Sequence, residues 1–215
     1  MILTEVSAPP SAAVPVRAFA EHLRLGSGFA DDGSQDAVLE LYLRSAMAAI
    51  EARLGRALLA RGFSWTVTRW REDASQGLPI APVRSVEAVT LIEADGGEVL
   101  VDPEAYSVMR DSQRPRLVGK FGRSLPRIPR TGHAEIRFTA GFGEAWEDVP
   151  ADLRQAVFLL AAHFYDNRSD GATSAGTMPF GVLVLIEAYR ATRSGLRRGP
   201  GPTSGSAKGR GSSTS

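Results

Sequence analysis

Histidine is the side chain that titrates nearest neutral pH, so the three histidines are the first candidates for proton transfer. His22, His133 and His163 lie far apart along the chain, and His163 stands beside Phe164 in an apolar helical stretch, where it reads as a packing residue. With no cysteine, thiolate metal sites, disulfides and cysteine nucleophiles are excluded. No HExxH spacing gathers a zinc site either. Gly141-Phe142-Gly143 follows a strand-like run, as a phosphate-cradling turn does. The third glycine is missing, because Trp146 occupies its place, and Glu144 would repel a phosphate. A tight turn is the better reading. The 205–209 segment (GSAKG) lacks P-loop spacing, and the 171–176 segment (GATSAG) lacks the flanking glycines of a serine elbow. Asp31, Asp32, Ser34 and Asp36 lack the alternation and closing glutamate of a calcium loop, so they read as helix caps. Glu147-Asp148 has no neighbours that would split two carboxylate pKa values. The sequence therefore offers no catalytic residue, no metal site and no cofactor, and the expectation is a protein that is not an enzyme.

What it does offer is positive charge in two places. The formal charge is only +1, and arginine outnumbers lysine 23 to 2. Residues 110–130 carry seven basic residues against Asp111 alone; Arg114, Lys120, Arg123 and Arg127 are its candidate contact residues. Residues 190–215 carry six basic residues and no acid. The rest of the chain is therefore acidic. A nucleic-acid-binding module using 110–130 is the runner-up reading. Against it, Pro115, Pro126 and Pro129 interrupt the segment, and Phe121 is its only aromatic residue.

The elements that must position these residues are legible from periodicity. Residues 1–14, with Pro9 and Pro10, read as an extended arm. A folded body follows over 15–194, with helices expected at about 15–25, 36–61, 150–168 and 182–193. Leu39, Leu43, Met47, Ile50, Leu54 and Leu58 recur at steps of three or four, with Gly62 as a stop. From Phe63 the period changes to two, and short runs punctuated by proline continue to Ala140. Asp95-Gly96-Gly97 supplies a hairpin turn between Val83–Ala94 and Glu98–Val101. After Pro150, Leu153, Ala156, Val157, Leu160, Ala161 and Phe164 form a broad apolar face. From Gly195 to Ser215 the chain is Gly, Ser, Pro and basic residues, with too little apolar surface to fold alone.

At 215 residues and 43% apolar composition there is enough chain for a packed core. No apolar run is long enough to cross a bilayer and no export signal is visible, so no membrane partner and cytoplasmic synthesis are the expectation. The fold expected is α+β. Its frame is a helical bundle (short first helix, long second helix, two C-terminal helices), with a small inserted antiparallel β-sheet at about 63–140 and an extended C-terminal tail over 195–215.

The order of local motifs carries a resemblance. His22-Leu23-Arg24-Leu25 closes a short helix, and the second helix ends at Ile50–Leu58 (IEARLGRAL). Trp65 and Trp70 follow, then Pro82–Val89 (PVRSVEAV), Asp95-Gly96, and Asp102-Pro103 with Tyr106. The series continues with Phe138–Gly143 (FTAGFG), Val149–Ala156 (VPADLRQA) and His163–Arg168 (HFYDNR). This series, across about 15–193, resembles the head–tail connector (head-completion adaptor) family of long-tailed phages and prophages, and within it the adaptors of alphaproteobacterial gene transfer agents. The resemblance implies a structural subunit of a particle neck, assembled in the cytoplasm into a twelve-fold ring. Its implied partners are the portal protein, neighbouring copies, the next neck or stopper/tail protein, and DNA passing transiently through the lumen. The tail lies outside the matched pattern. Its composition suggests a portal-binding strand in which Leu196, Arg197, Arg198, Lys208 and Arg210 make the contacts.

Overall fold

The computed structural model describes residues 1–24, 35–167 and 178–190. The expected helix end at Leu25, the caps at Asp32 and Ser34, the loop through 168–177 and the whole tail, including Leu196, Arg197, Arg198, Lys208 and Arg210, lie outside the described residues.

Four helices are described: α1 (Val16–His22), α2 (Asp36–Leu54), α3 (Ala151–Asp166) and α4 (Phe180–Ile186). Helix α2 buries Leu39, Leu43, Ala46, Met47, Ile50 and Leu54, the stripe that steps of three and four produce on one face. It stops short of Arg61. Gly55 takes a left-handed conformation (φ 64°) and its N–H donates to the Glu51 carbonyl, 2.8 Å, which closes the last turn. Leu58 and Leu59 then enter the same apolar cluster from extended chain. Helix α3 packs on α2 with one side and on α4 with the other, and α1 covers part of α2. Trp146, stacked on Phe158 at 5.7 Å, and Phe19, 5.7 Å from Phe158, fill the end of this layer.

Eight strands form two antiparallel sheets: β1 (Ile2–Glu5), β2 (Arg61–Val67), β3 (Ser75–Gly77), β4 (Val83–Ile92), β5 (Glu98–Leu100), β6 (Tyr106–Met109), β7 (Arg116–Gly119) and β8 (His133–Ala140). The larger sheet has the order β1-β2-β8-β4-β5, and the smaller has β3-β7-β6. On the larger sheet, Phe63, Trp65 and Val67 of β2 face the same way as Ala134, Ile136 and Phe138 of β8 and Val89 of β4. Leu117 and Tyr106 from the smaller sheet, together with Leu78, Leu125 and Ile128, close over that face.

This overturns the expectation of a helical bundle with a small inserted sheet. The fold is a mixed α+β one in which the two sheets enclose an apolar cluster separate from the helical one. The physical reason is alternation. Strands with one apolar face need a second layer to bury it, and the short runs at Tyr106–Met109 and Arg116–Gly119, expected as strands, supply it by pairing with Ser75–Gly77, where no alternation is visible.

Candidate assembly surfaces

The two apolar clusters meet along a narrow seam. Phe142 N–H donates to the Leu58 carbonyl (3.1 Å), Ala60 N–H to the Gly143 carbonyl (2.7 Å) and Gly141 N–H to the Pro82 carbonyl (2.9 Å). Gly141 has φ 135°, and a Cβ there would lie 2.5 Å from backbone atoms of Leu59 and Ala60, so only glycine allows this crossing. The glycine pair thus serves close packing, as the tight-turn reading requires.

Two arginines reinforce the seam. Arg56 is buried. Its Nε donates to the Tyr189 carbonyl (3.0 Å), one terminal nitrogen donates to the Ser112 carbonyl (2.6 Å), and its guanidinium lies 5.6 Å from the Tyr189 ring centre. Burial pulls its pKa below the ordinary guanidinium value, opposed by the Tyr189 and Asp111 charges. Tyr189 in turn donates to Asp152 Oδ1 at 2.7 Å. Burial, then that hydrogen bond, push the phenol up to about 12. Arg56 and Tyr189 together thus tie α3, the β6–β7 loop and the last described turn of the chain. Arg61 bridges Glu51 of α2 (2.8 Å) and Glu5 of β1 (3.0 Å), fastening the N-terminal strand to the helices. Burial lowers its pKa, but the Glu51 and Glu5 carboxylates outweigh that, so the net direction is up.

The basic loop is held at both ends. Leu125 and Ile128 are buried in the β cluster, the Trp70 indole donates to the Pro126 carbonyl (2.7 Å), and Leu125 N–H donates to the Asp73 carbonyl (2.7 Å). The four residues singled out from sequence are distributed unequally. Lys120 pairs with Glu104 at 3.0 Å, beside a cleft of about 340 Å³ that Arg123 also lines. Arg127 lines a different cleft of about 410 Å³, with Arg69, Trp70 and Asp73. Arg114 sits in the turn at Asp111, whose carboxylate accepts from the Gln113 and Arg114 N–H groups. They therefore form no single site. Phe121 lines the first of these clefts and is 87% exposed, in a left-handed conformation (φ 56°). Sequence reasoning missed Arg69; the signal was the Arg69-Trp70-Arg71 run, basic residues flanking an aromatic one.

Among the described residues no group of three or more metal-ligating side chains is assembled, and no helix is long and apolar enough to cross a membrane. His163 accepts or donates with Asn167 (3.0 Å), and His22 lies 5.4 Å from the Phe158 ring, both in packing roles. Exposed apolar side chains are grouped instead: Val38 and Leu41 on α2, Phe180 and Val184 on α4, Ile2 and Val6 around β1, and Val99 and Leu100 on β5. These pairs are the candidate contact surfaces of the described residues.

No protein-family model matches the chain, and no curated protein matches it. Solved structures do. A chain in the neck of an empty gene transfer agent (GTA) particle with C6 symmetry is 52% identical, with TM-score 0.81 over 90% of this chain and 97% of that one. A chain in the virion of a native GTA particle is 51% identical over the same shares, with TM-score 0.80. A third, in the neck of a native GTA particle with C12 symmetry, is 47% identical with TM-score 0.77, again covering 90% and 97%.

Proposed function

The chain belongs to the family of adaptor-like neck proteins of gene transfer agent particles, and we propose that it is the subunit of a ring joining the portal to the tail, with DNA passing through the lumen. It is a structural component of the particle neck. What supports the ring reading is the match, at about half identity over 90% of the chain, to chains of GTA necks computed with C6 and C12 symmetry. Cyclic assembly requires each copy to present two different surfaces that fit each other. The grouped exposed apolar side chains on separate faces supply such surfaces.

Within that reading, the tail over 195–215 binds the portal protein through main-chain pairing and through Arg197, Arg198, Lys208 and Arg210. Arg56 and Tyr189 fix its point of departure. Arg123 and Arg127 face neighbouring copies or the DNA path. Lys120 and Arg116 are already engaged with Glu104 and Glu72 (3.4 Å), which reduces the charge the loop offers to phosphate and disfavours the free nucleic-acid-binding module.

The test is to delete residues 196–215 and measure binding to purified portal. The reading expects a folded subunit that no longer joins the portal. Normal joining refutes the tail's role, and a full-length chain that never enters necks refutes the ring.

A further inference from the structure

The five-stranded sheet has two open edges, and their geometry selects one way of joining copies. All four pairings in the sheet are antiparallel, so β1 and β5, at opposite edges, run in the same direction. Every residue of both strands is exposed. Neither pairing contains a bulge or an internal proline of the kind that blunts an edge. Apolar side chains flank both edges: Ile2 at 66% and Leu3 at 40% exposure on β1, Val99 at 56% and Leu100 at 66% on β5. The acid of β1 is engaged within the chain. Glu5 pairs with Arg61 at 3.0 Å.

Which backbone groups point outward follows from the ladders. Val6 N–H donates to the Gly62 carbonyl, so in an antiparallel pair Thr4 and Ile2 also face inward, leaving Leu3 and Glu5 with free outward groups. On the other edge, Glu93 pairs with Gly97 and Val101 with Val89. Val99 therefore faces inward, and Glu98 and Leu100 face outward. Leu3 lies on the face of Trp65 and Ile136, and Val99 on the face of Leu91 and Ala134, which is the same, core-facing side.

In parallel pairing, a residue with outward groups sits opposite one without, bonding to the residues on either side of it. Leu3 opposite Val99 satisfies this. Its N–H reaches the Glu98 carbonyl, its carbonyl receives the Leu100 N–H, and both side chains fall on the core face. Antiparallel joining of β1 to β5 would set Leu3 opposite Glu98 or Leu100, whose side chains are on the other face of their own copy, and adjacent copies would then carry their cores on opposite faces of the sheet. We propose that β5 of one copy pairs in parallel with β1 of the next, Leu3 beside Val99, so that the larger sheet runs unbroken around the ring. The partner is thus a second copy of this chain. This rests on the ring reading above and adds the seam to it.

The seam also fixes a size. Five strands at about 4.8 Å span roughly 24 Å per copy, so twelve copies place the sheet at a radius of about 46 Å, or about 60 Å with barrel-like strand tilt. Because the chain has no cysteine, the seam can be trapped chemically. Full-length chain carrying both Leu3→Cys and Val99→Cys, assembled into necks and treated with a short bis-maleimide, is expected to give a covalent ladder. Each single variant is expected to stay monomeric on the same gel. Two further variants, Leu3→Pro and Leu100→Pro, each remove only an outward N–H. They are expected to keep the circular dichroism and melting of the free chain while neck incorporation falls by about tenfold, which corresponds to about 1.4 kcal/mol. Necks that form without a ladder, a ladder from either single variant, or a sheet radius well beyond about 60 Å overturns the seam and leaves the ring standing. A chain absent from necks overturns both.

Discussion

The helical half and the β half bury comparable apolar residues by different means. In α2 and α3 each stripe is written into consecutive turns of one segment, and two such segments suffice to make a core. In the sandwich, Phe138 meets Phe63 at 5.5 Å only because β2 and β8, separated by most of the β region, pair in register. Its lid comes from β3, β6, β7 and the proline-punctuated loop. Local periodicity therefore builds the first core, and distant pairing builds the second. The seam at Arg56, Gly141 and Gly143 decides how far the two behave as one body.

The largest expected effect compares the two cores directly. Phe138→Ala and Leu153→Ala each remove a fully buried side chain and should cost about 3–5 and about 2–5 kcal/mol. Trp65 and Trp70 report on the β half and Trp146 on the helical half. Fluorescence melts with one set replaced by Phe should show Phe138→Ala moving the β signal more than the helical one. Coincident midpoints would mean that the seam makes a single cooperative unit. Next in size is Arg56→Met, which leaves the Ser112 and Tyr189 carbonyls without their donor and should cost about 2 kcal/mol. It should also widen any gap between the two fluorescence transitions, and an unchanged gap would show that the backbone bonds alone couple the halves.

A smaller effect is confined to alkaline pH. Tyr189 has a folded pKa of about 12 against 10.0 for the ordinary group, so the native state holds its proton more tightly. Its contribution is complete below pH 10 and is lost as pH rises toward 12. Thermal melts across that window should fall more steeply for the native chain than for Tyr189→Phe; equal slopes would remove Tyr189 from the seam. The smallest effect is Glu40→Gln on α2. Glu40 is held below the usual carboxylate range first by its hydrogen bond from Arg44, so its stabilisation fades as pH falls. As a surface pair one helical turn apart it should contribute about 0.5 kcal/mol or less in chemical denaturation.

Much of the helical half could be read directly. The α2 and α3 stripes, the Asp95-Gly96-Gly97 turn and the alternation of Phe63, Trp65 and Val67 all have local causes. The stop of α2 was misplaced at Gly62; the helix ends at Leu54, because Gly55 takes the left-handed turn whose N–H bonds the Glu51 carbonyl. The order of motifs pointed to the neck family, because a series of local signatures survives without any knowledge of contacts.

By itself the sequence determined helical period, strand alternation, two concentrations of positive charge and the absence of cysteine. Tertiary structure alone decided that Ile2–Glu5 becomes an edge strand, that Ser75–Gly77 helps lid a sandwich, and that Arg56 is buried rather than solvated. It also decided that Lys120, Arg123 and Arg127 divide between two clefts. Each of these depends on pairing or burial between residues far apart in the chain. Such contacts are set by which faces remain uncovered once local structure has formed, and no window of neighbouring residues contains that information.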